Sequence, residues 1–389
     1  MQISPFRIEQ YFGKYEFSAK YLLSSSDAES QSIADLLALE PSAHDQLLAQ
    51  RCGYTESPGS PELRDSISNI YKQIPLENVL VAAAAEEAIF LFYHSLIGPA
   101  DHVIVETPCY ESALTVAKST GAAVSEWPRH SSNAWAHDLA ALESLIQPNT
   151  RAIYINTPHN PTGLLMPLNV FTRVLELASR SGIYVFSDEV YRELEHDPAT
   201  RLPAACDLYE RAVSLGSMSK TYGLPGLRLG WLASRDSSLL EKCLEFKYYT
   251  TICSSAPSEF LSALALRHRE KLAERNRQIV LRNLPVLHDF FARHSSLFSW
   301  TPPNASPIGF VRFHPASQNP SQKNSTQQNQ NSVLDFCETL VRESGVLLLP
   351  GSVYDQPSHI RFGFGRSNMP ESLAQLDSYL FRTSRAASM

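Results

Sequence analysis

The stretch Ser217-Met218-Ser219-Lys220-Thr221-Tyr222-Gly223-Leu224-Pro225-Gly226-Leu227-Arg228-Leu229-Gly230-Trp231 puts a lysine directly after an apolar run, between two hydroxyl residues and upstream of an arginine. A cationic Arg228 disfavours protonation of the Lys220 amine and so favours its nucleophilic form. Ser217, Ser219 and Arg228 carry donors that suit a phosphate. Alone, a Ser-x-Ser-Lys run reads equally well as a surface loop.

The surroundings shift that reading. Short apolar runs alternate with amphipathic stretches, as in an α/β sheet. Strands are expected over 78–82, 102–106, 122–126, 151–156, 183–187, 212–215 and 228–233, with helices over 86–96, 111–119, 138–146 and 168–181. Ile183, Tyr184, Val185 and Phe186 are apolar without alternation, as in a strand covered on both faces. After one strand, Asn156-Thr157-Pro158-His159-Asn160-Pro161-Thr162-Gly163 fixes an amide on a proline-stiffened turn. After another, Ser187-Asp188-Glu189-Val190-Tyr191 places a carboxylate and a phenol at the carboxyl edge of a sheet, where open parallel sheets bind ligands.

These motifs, in this order, resemble the fold-type I, aspartate-aminotransferase-like family of pyridoxal 5'-phosphate enzymes. The resemblance covers nearly the whole chain. It implies an α/β fold with a large, mostly parallel-sheet cofactor domain and a small α+β domain. It further implies that Lys220 bonds the cofactor's aldehyde and carries protons at the substrate Cα. Asp188 would pair with the ring nitrogen, Tyr191 and Asn160 with the ring oxygen, and Tyr110 would stack on the ring. Ser217, Ser219 and Arg228 would hold the phosphate, together with backbone N–H groups of Ala84 and Ala85 at a helix start. Arg361, in His359-Ile360-Arg361-Phe362, would fork the substrate's α-carboxylate. Tyr54 would reach the phosphate of a second copy, so a homodimer with a shared active site is expected. The family usually has Gly with Ser or Thr where Ala82–Ala85 stand, and Glu86 and Glu87 are expected to point away from the phosphate.

The N-terminal segment bears on the reaction. Phe17-Ser18-Ala19-Lys20 and Ser24-Ser25-Ser26, in place of the usual Gly-x-Pro stretch, resemble the hydroxyarginine cyclases of the capreomycidine synthase type. That resemblance implies dehydration of a hydroxylated L-arginine, here 4-hydroxy-L-arginine to L-enduracididine. The steps would be Cα deprotonation, loss of hydroxyl and intramolecular addition of the guanidine. Capreomycidine formation from 3-hydroxyarginine and ordinary transamination of an aromatic or basic amino acid are the alternatives. Glu9 and Glu16 are candidates to hold the guanidinium, Ser25 to position the carboxylate or hydroxyl, and His159 to act as the acid for the departing hydroxyl.

Composition fits a folded enzyme. The chain has 389 residues, 43% hydrophobic and 19% charged, with 40 acidic against 33 basic residues and a net charge of -7. That overall balance gives no support for the basic face that nucleic acid would need, though it leaves room for a local patch. No run approaches the about 20 apolar residues that span a bilayer, and no apolar leader core is evident, so neither membrane nor secretion is expected and the location is taken as cytoplasmic. Cys52, Cys109, Cys206, Cys243, Cys253 and Cys337 form no Cys-x-x-Cys pair, so buried reduced thiols and no metal site are expected. A DNA-binding regulator on this fold would need a winged-helix domain ahead of it, and a dead relative would lack the lysine. The chain is expected to divide into an N-terminal segment at 1–45 that packs with the small domain and over the active site, a cofactor domain at 46–280 and a small domain at 281–389. The Gln/Asn-rich run 317–332 is expected to be an exposed loop.

Overall fold

The computed structural model describes residues 3–315 and 326–387. Strands are numbered in chain order: β1 (Tyr21–Leu22), β2 (Val79–Ala82), β3 (His102–Thr107), β4 (Ala123–Pro128), β5 (Thr150–Asn156), β6 (Tyr184–Asp188), β7 (Ala212–Ser217), β8 (Gly230–Ser234), β9 (Phe298–Trp300), β10 (Ile308–Phe313), β11 (Val346–Leu347), β12 (Leu349–Pro350) and β13 (His359–Gly363). The unalternating apolar runs become the inner strands, because helices cover both faces of their sheet. That sheet has seven strands in the order β2-β8-β7-β6-β5-β3-β4. Only β8 runs against its neighbours. The helix Leu168–Ser181 shows how a face is covered: Val170, Phe171, Val174, Leu175, Leu177 and Ala178 recur at helical spacing, are buried, and stop at Gly182 in the left-handed region.

β12-β13-β10-β9 form a smaller antiparallel sheet, as expected of an α+β unit. The N-terminal segment is tied to it by the parallel pair β1–β11 and by Gly363 N–H donating to Leu23 O at 2.7 Å. A Cβ on Gly363 would fall 1.9 Å from Ser25 O, so glycine is what lets residues 24–27 lie against β13. The expected strands and helices are present and differ only at their ends.

After β8 and the helix Ser237–Lys247 the chain continues in two helices, Ala256–Arg267 and Arg269–Arg293, the second running across residue 280. Two expectations change. The expected loop is partly helix: residues 317–325 lie outside the described residues, while 326–332 begin the helix Thr326–Ser344. Glutamine has fair helix propensity, so a lack of apolar residues did not exclude a helix there. All six cysteines are free, but Cys52 is exposed and Cys253 half-buried. Among the described residues no helix is long and apolar enough to cross a membrane.

Candidate active site

The carboxyl ends of β5, β6 and β7, the start of the helix Ala84–Leu96 and the N-terminal segment enclose a cavity of about 590 Å³. Lys220, just beyond β7, reaches it with Nζ donating to Ser26 Oγ at 2.8 Å. Burial lowers the Lys220 pKa, and Arg361 is the cation that lowers it further. The sequence reading had assigned that effect to Arg228, whose guanidinium is exposed and donates to Pro225 O at 3.1 Å.

Asp188 ends β6, buried, with Oδ2 accepting from the Tyr154 hydroxyl at 2.9 Å and Oδ1 from Val190 N–H at 3.2 Å. Both donors are neutral, and burial pushes its carboxyl up to about 6. A cationic ring nitrogen would reverse that shift. The Tyr191 hydroxyl is buried in the cavity wall without a well-formed hydrogen bond. Asn156 holds the next turn: its Oδ1 accepts from Asn160 N–H at 2.6 Å, and its Nδ2 donates to Asp188 O. Asn160 Oδ1 accepts from Tyr354 at 3.1 Å and Arg361 at 3.3 Å, which leaves Nδ2 as its donor toward the cavity.

At the opposite corner the backbone of Ala84 and Ala85 opens a helix that has no side-chain cap. Ala84 has φ +69°, the left-handed region that costs an alanine about 1–2 kcal/mol. A Cβ on Gly230 would sit 2.8 Å from Ala84 C and 2.9 Å from Ala85 N, so glycine makes room for this turn. Ser217, whose Oγ accepts from Ser219 N–H at 3.0 Å, lies on the same corner with Ser219 and Arg228. Donor-rich backbone at a helix start, two hydroxyls, a guanidinium, an unpaired phenol, a buried carboxylate and an amine together fit pyridoxal 5'-phosphate.

Glu87 does turn aside, accepting from Ala83 N–H and from Thr250 and Thr251. Glu86 does not. It lines the cavity, and burial pushes its carboxyl up to about 7, so near neutrality much of it is the uncharged acid. That softens the repulsion a phosphate would meet.

The wall facing these groups is acidic. Glu9 Oε1 accepts from the Tyr110 hydroxyl at 2.8 Å. Glu16 and Asp27 line the same space, and Glu16 is raised by burial and by the nearby Asp27 and Glu9 charges. Arg361, 1% exposed, lies between the walls. It donates to Ser24 O at 2.8 Å and to the Tyr354 hydroxyl, while its Nε stays unpartnered and Phe12 lies 5.8 Å away over the guanidinium. Ser25 lines the cavity as expected.

Tyr54 is 93% exposed and lies outside this chain's own cavity; the partner expected for it is the phosphate of a second copy. One expected residue is not part of this constellation as foreseen. His159 is not an acid for the hydroxyl: it is buried, bonded to Thr162 Oγ1 and Pro108 O, and burial pushes it down to about 3, which keeps it neutral. The sequence reading did not assign Tyr154, Asn156, Tyr354, Ser26 or Asp27. Ser26 ends a quoted serine run and Asp27 follows it, and Tyr154 stands two residues before a quoted asparagine, but nothing local marks their direction.

The family model described as aminotransferase class I and II matches residues 23–375. Capreomycidine synthase of Streptomyces vinaceus is 28% identical over 384 residues, 96% of this chain and 93% of that protein. Among solved structures, a PLP-dependent aminotransferase from Streptococcus suis superposes with a TM-score of 0.89 at 32% identity, over 98% of this chain and 99% of that one. The PLP-dependent cyclase OrfR superposes with a TM-score of 0.88 at 26% identity, over 98% of each chain.

Proposed function

The chain belongs to the class I and II aminotransferases, with pyridoxal 5'-phosphate as cofactor, and on that premise we propose that it is a cyclase that dehydrates a hydroxylated L-arginine. The observation that carries this reading is the pairing of Arg361 with an acidic wall of Glu9, Glu16 and Asp27 in one cavity. A substrate anionic at its α-carboxylate and cationic at a guanidinium satisfies both ends at once. The similarity to capreomycidine synthase and to OrfR supports cyclisation as the outcome.

In this reading Ser217, Ser219, Arg228 and the backbone of Ala84 and Ala85 hold the phosphate, Tyr110 covers the ring, Asp188 meets its nitrogen, and Tyr191 and Asn160 meet its oxygen. The bound cofactor supplies an electron sink for the charge that develops at Cα. Arg361 and Ser25 fix the carboxylate end. Lys220, whose proton affinity burial lowers, takes the Cα proton. Glu9, held by Tyr110, and Asp27 hold the guanidinium over the carbon that loses its hydroxyl. The hydroxyl leaves with a proton as water, a guanidine nitrogen adds to that carbon and gives up a proton in its place, Lys220 returns the proton to Cα, and the amino group stays. With the hydroxyl on Cγ, a Cβ proton is removed before the hydroxyl leaves and is put back after the ring closes, so one water is lost overall; that ring is five-membered, which is the 4-hydroxy-L-arginine to L-enduracididine reaction we favour. With it on Cβ the ring is six-membered. We place the division between cofactor and small domains near residue 280, within the helix Arg269–Arg293. We also propose a homodimer in which exposed Tyr54 meets the phosphate of the second copy.

Transamination is the second reading, because an arginine–pyruvate transaminase of Pseudomonas aeruginosa is 33% identical over 220 residues, 54% of this chain, and the acidic wall suits an unmodified arginine as well. Incubation of the purified enzyme with each hydroxyarginine isomer, with NMR of the products, separates the two. A five-membered cyclic guanidine supports the favoured reaction, a six-membered one moves it to the 3-hydroxy substrate, and a keto acid with no ring overturns cyclisation.

A further inference from the structure

The helix Arg7–Tyr15 begins at Phe6 with no side-chain cap from its own segment. Its first donors are satisfied from far along the chain. Glu111 Oε2 accepts from Arg7 N–H at 2.8 Å and Ile8 N–H at 3.4 Å, and Glu111 Oε1 accepts from Arg7 Nε at 2.7 Å. The outer edge of the same guanidinium forks Asp355 at 2.7 and 3.1 Å. A nine-residue helix is marginal in water by itself, so its order depends on docking.

The two anchors adjoin active-site groups. Glu111 follows Tyr110, which holds Glu9, and Asp355 follows Tyr354, which contacts Asn160 and Arg361. The anchors are unequal. Asp355 is 71% exposed, and exposed pairs contribute little; Glu111 is 8% exposed and binds both backbone and side chain at a helix start, where a carboxylate is favoured.

We propose that Glu111 and Arg7 form a latch that folds the helix Arg7–Tyr15 onto the cavity, Glu111 serving as a positioning residue that sets affinity for the cationic end of the substrate through Glu9 and not the rate of the chemical step. The affinity half rests on the reading of Glu9 given above; the latch itself does not.

The test combines backbone hydrogen exchange of the cofactor-loaded, substrate-free enzyme with steady-state kinetics on a hydroxyarginine, for Arg7→Ala, Glu111→Gln, Arg7→Lys and Asp355→Ala. Exchange of the amides of residues 8–15 should quicken by about tenfold in Glu111→Gln, which takes the carboxylate from the helix start, and in Arg7→Ala, which removes the side-chain ion pair to Glu111 while leaving the backbone bonds. KM should rise by about tenfold in the same two variants while kcat falls less than about threefold, as when binding alone is lost. Arg7→Lys should restore most of both effects, and Asp355→Ala should move each by less than about twofold. Unchanged exchange in Arg7→Ala overturns the latch. Quickened exchange with KM unmoved, or with kcat carrying the loss, overturns its role in substrate affinity. Should no hydroxyarginine be turned over, the functional reading fails, and the exchange arm still decides the latch.

Discussion

The cavity wall that comes from the seven-stranded sheet and the wall that comes from the N-terminal segment are held in place by different means. On the sheet side, Asp188, Asn156, Ser217 and Lys220 sit at or just beyond strand ends whose register is set by backbone pairing, and most of the partners of Asp188, Asn156 and Ser217 lie on or just beyond the same or the adjacent strand. On the other side, Glu9, Ser26 and Arg7 are placed by bonds to Tyr110, Lys220 and Glu111, each about a hundred residues or more away in sequence. A rigid edge suits a cofactor that must not move during turnover. A segment held by a few long-range side-chain bonds can change its lining without disturbing that edge, which is where selection among substrates is expected.

The sharpest way to break this contrast is Lys220→Ala. Turnover should fall by about 10⁴-fold or more, and the visible band that lysine linkage gives the bound cofactor should vanish from the absorbance spectrum. Retained turnover would mean that the sheet wall does not carry the chemistry.

Glu9→Gln should act differently. Loss of one charge-assisted hydrogen bond, about 1.5–3 kcal/mol, should raise KM for a hydroxyarginine by roughly ten- to a hundredfold with the cofactor spectrum unchanged. Steady-state kinetics beside a spectrum checks both; a spectral change with unaltered KM would put Glu9 on the cofactor side.

Asp188→Asn sharpens the comparison through pH in the cofactor-free protein. Burial raises the folded-state carboxyl to about 6, so the folded chain binds this proton more tightly than the unfolded one. Stability therefore falls as pH rises from the ordinary carboxylate range, about 4, through about 6, and the penalty, on the order of 1–3 kcal/mol, is complete above it. The amide should raise the Tm of cofactor-free protein at mildly alkaline pH and leave it unchanged near pH 4. An equal effect at both pH values would assign it to something other than ionisation.

Ala84→Gly should have the smallest effect. Relief of the left-handed alanine should add about 1 kcal/mol in thermal or denaturant unfolding, with kinetics unchanged. A destabilised variant would show that the turn is held by more than the cramped approach of Gly230.

The sheet and its polar edge were legible because their signals are local. Both-face burial shows as an unbroken apolar run, and Asp188–Tyr191 and Ser217–Arg228 keep their functional groups within one turn of chain. The helix Arg7–Tyr15 carries a local signal too: Ile8, Tyr11 and Tyr15 are buried at helical spacing, which turns Glu9 along the flank of the apolar stripe. Glu86 was misread because two adjacent acids at a helix start look alike in sequence, while their positions on the helix send Glu87 to Thr250 and Glu86 into the cavity. His159 reads in sequence as either an acid or a structural residue, and only its burial and its bond to Pro108 O decide for the structural role.

Residue order alone thus disclosed the sheet, through chain periodicity, and its motifs, through their resemblance to a family, marked the expected cofactor end of the cavity and a candidate amine. Which acids line the cavity, what lowers the lysine's proton affinity and what fastens the N-terminal helix were decided only on folding. Those properties depend on burial and on pairs joined across the molecule, and neither exists until the chain is packed.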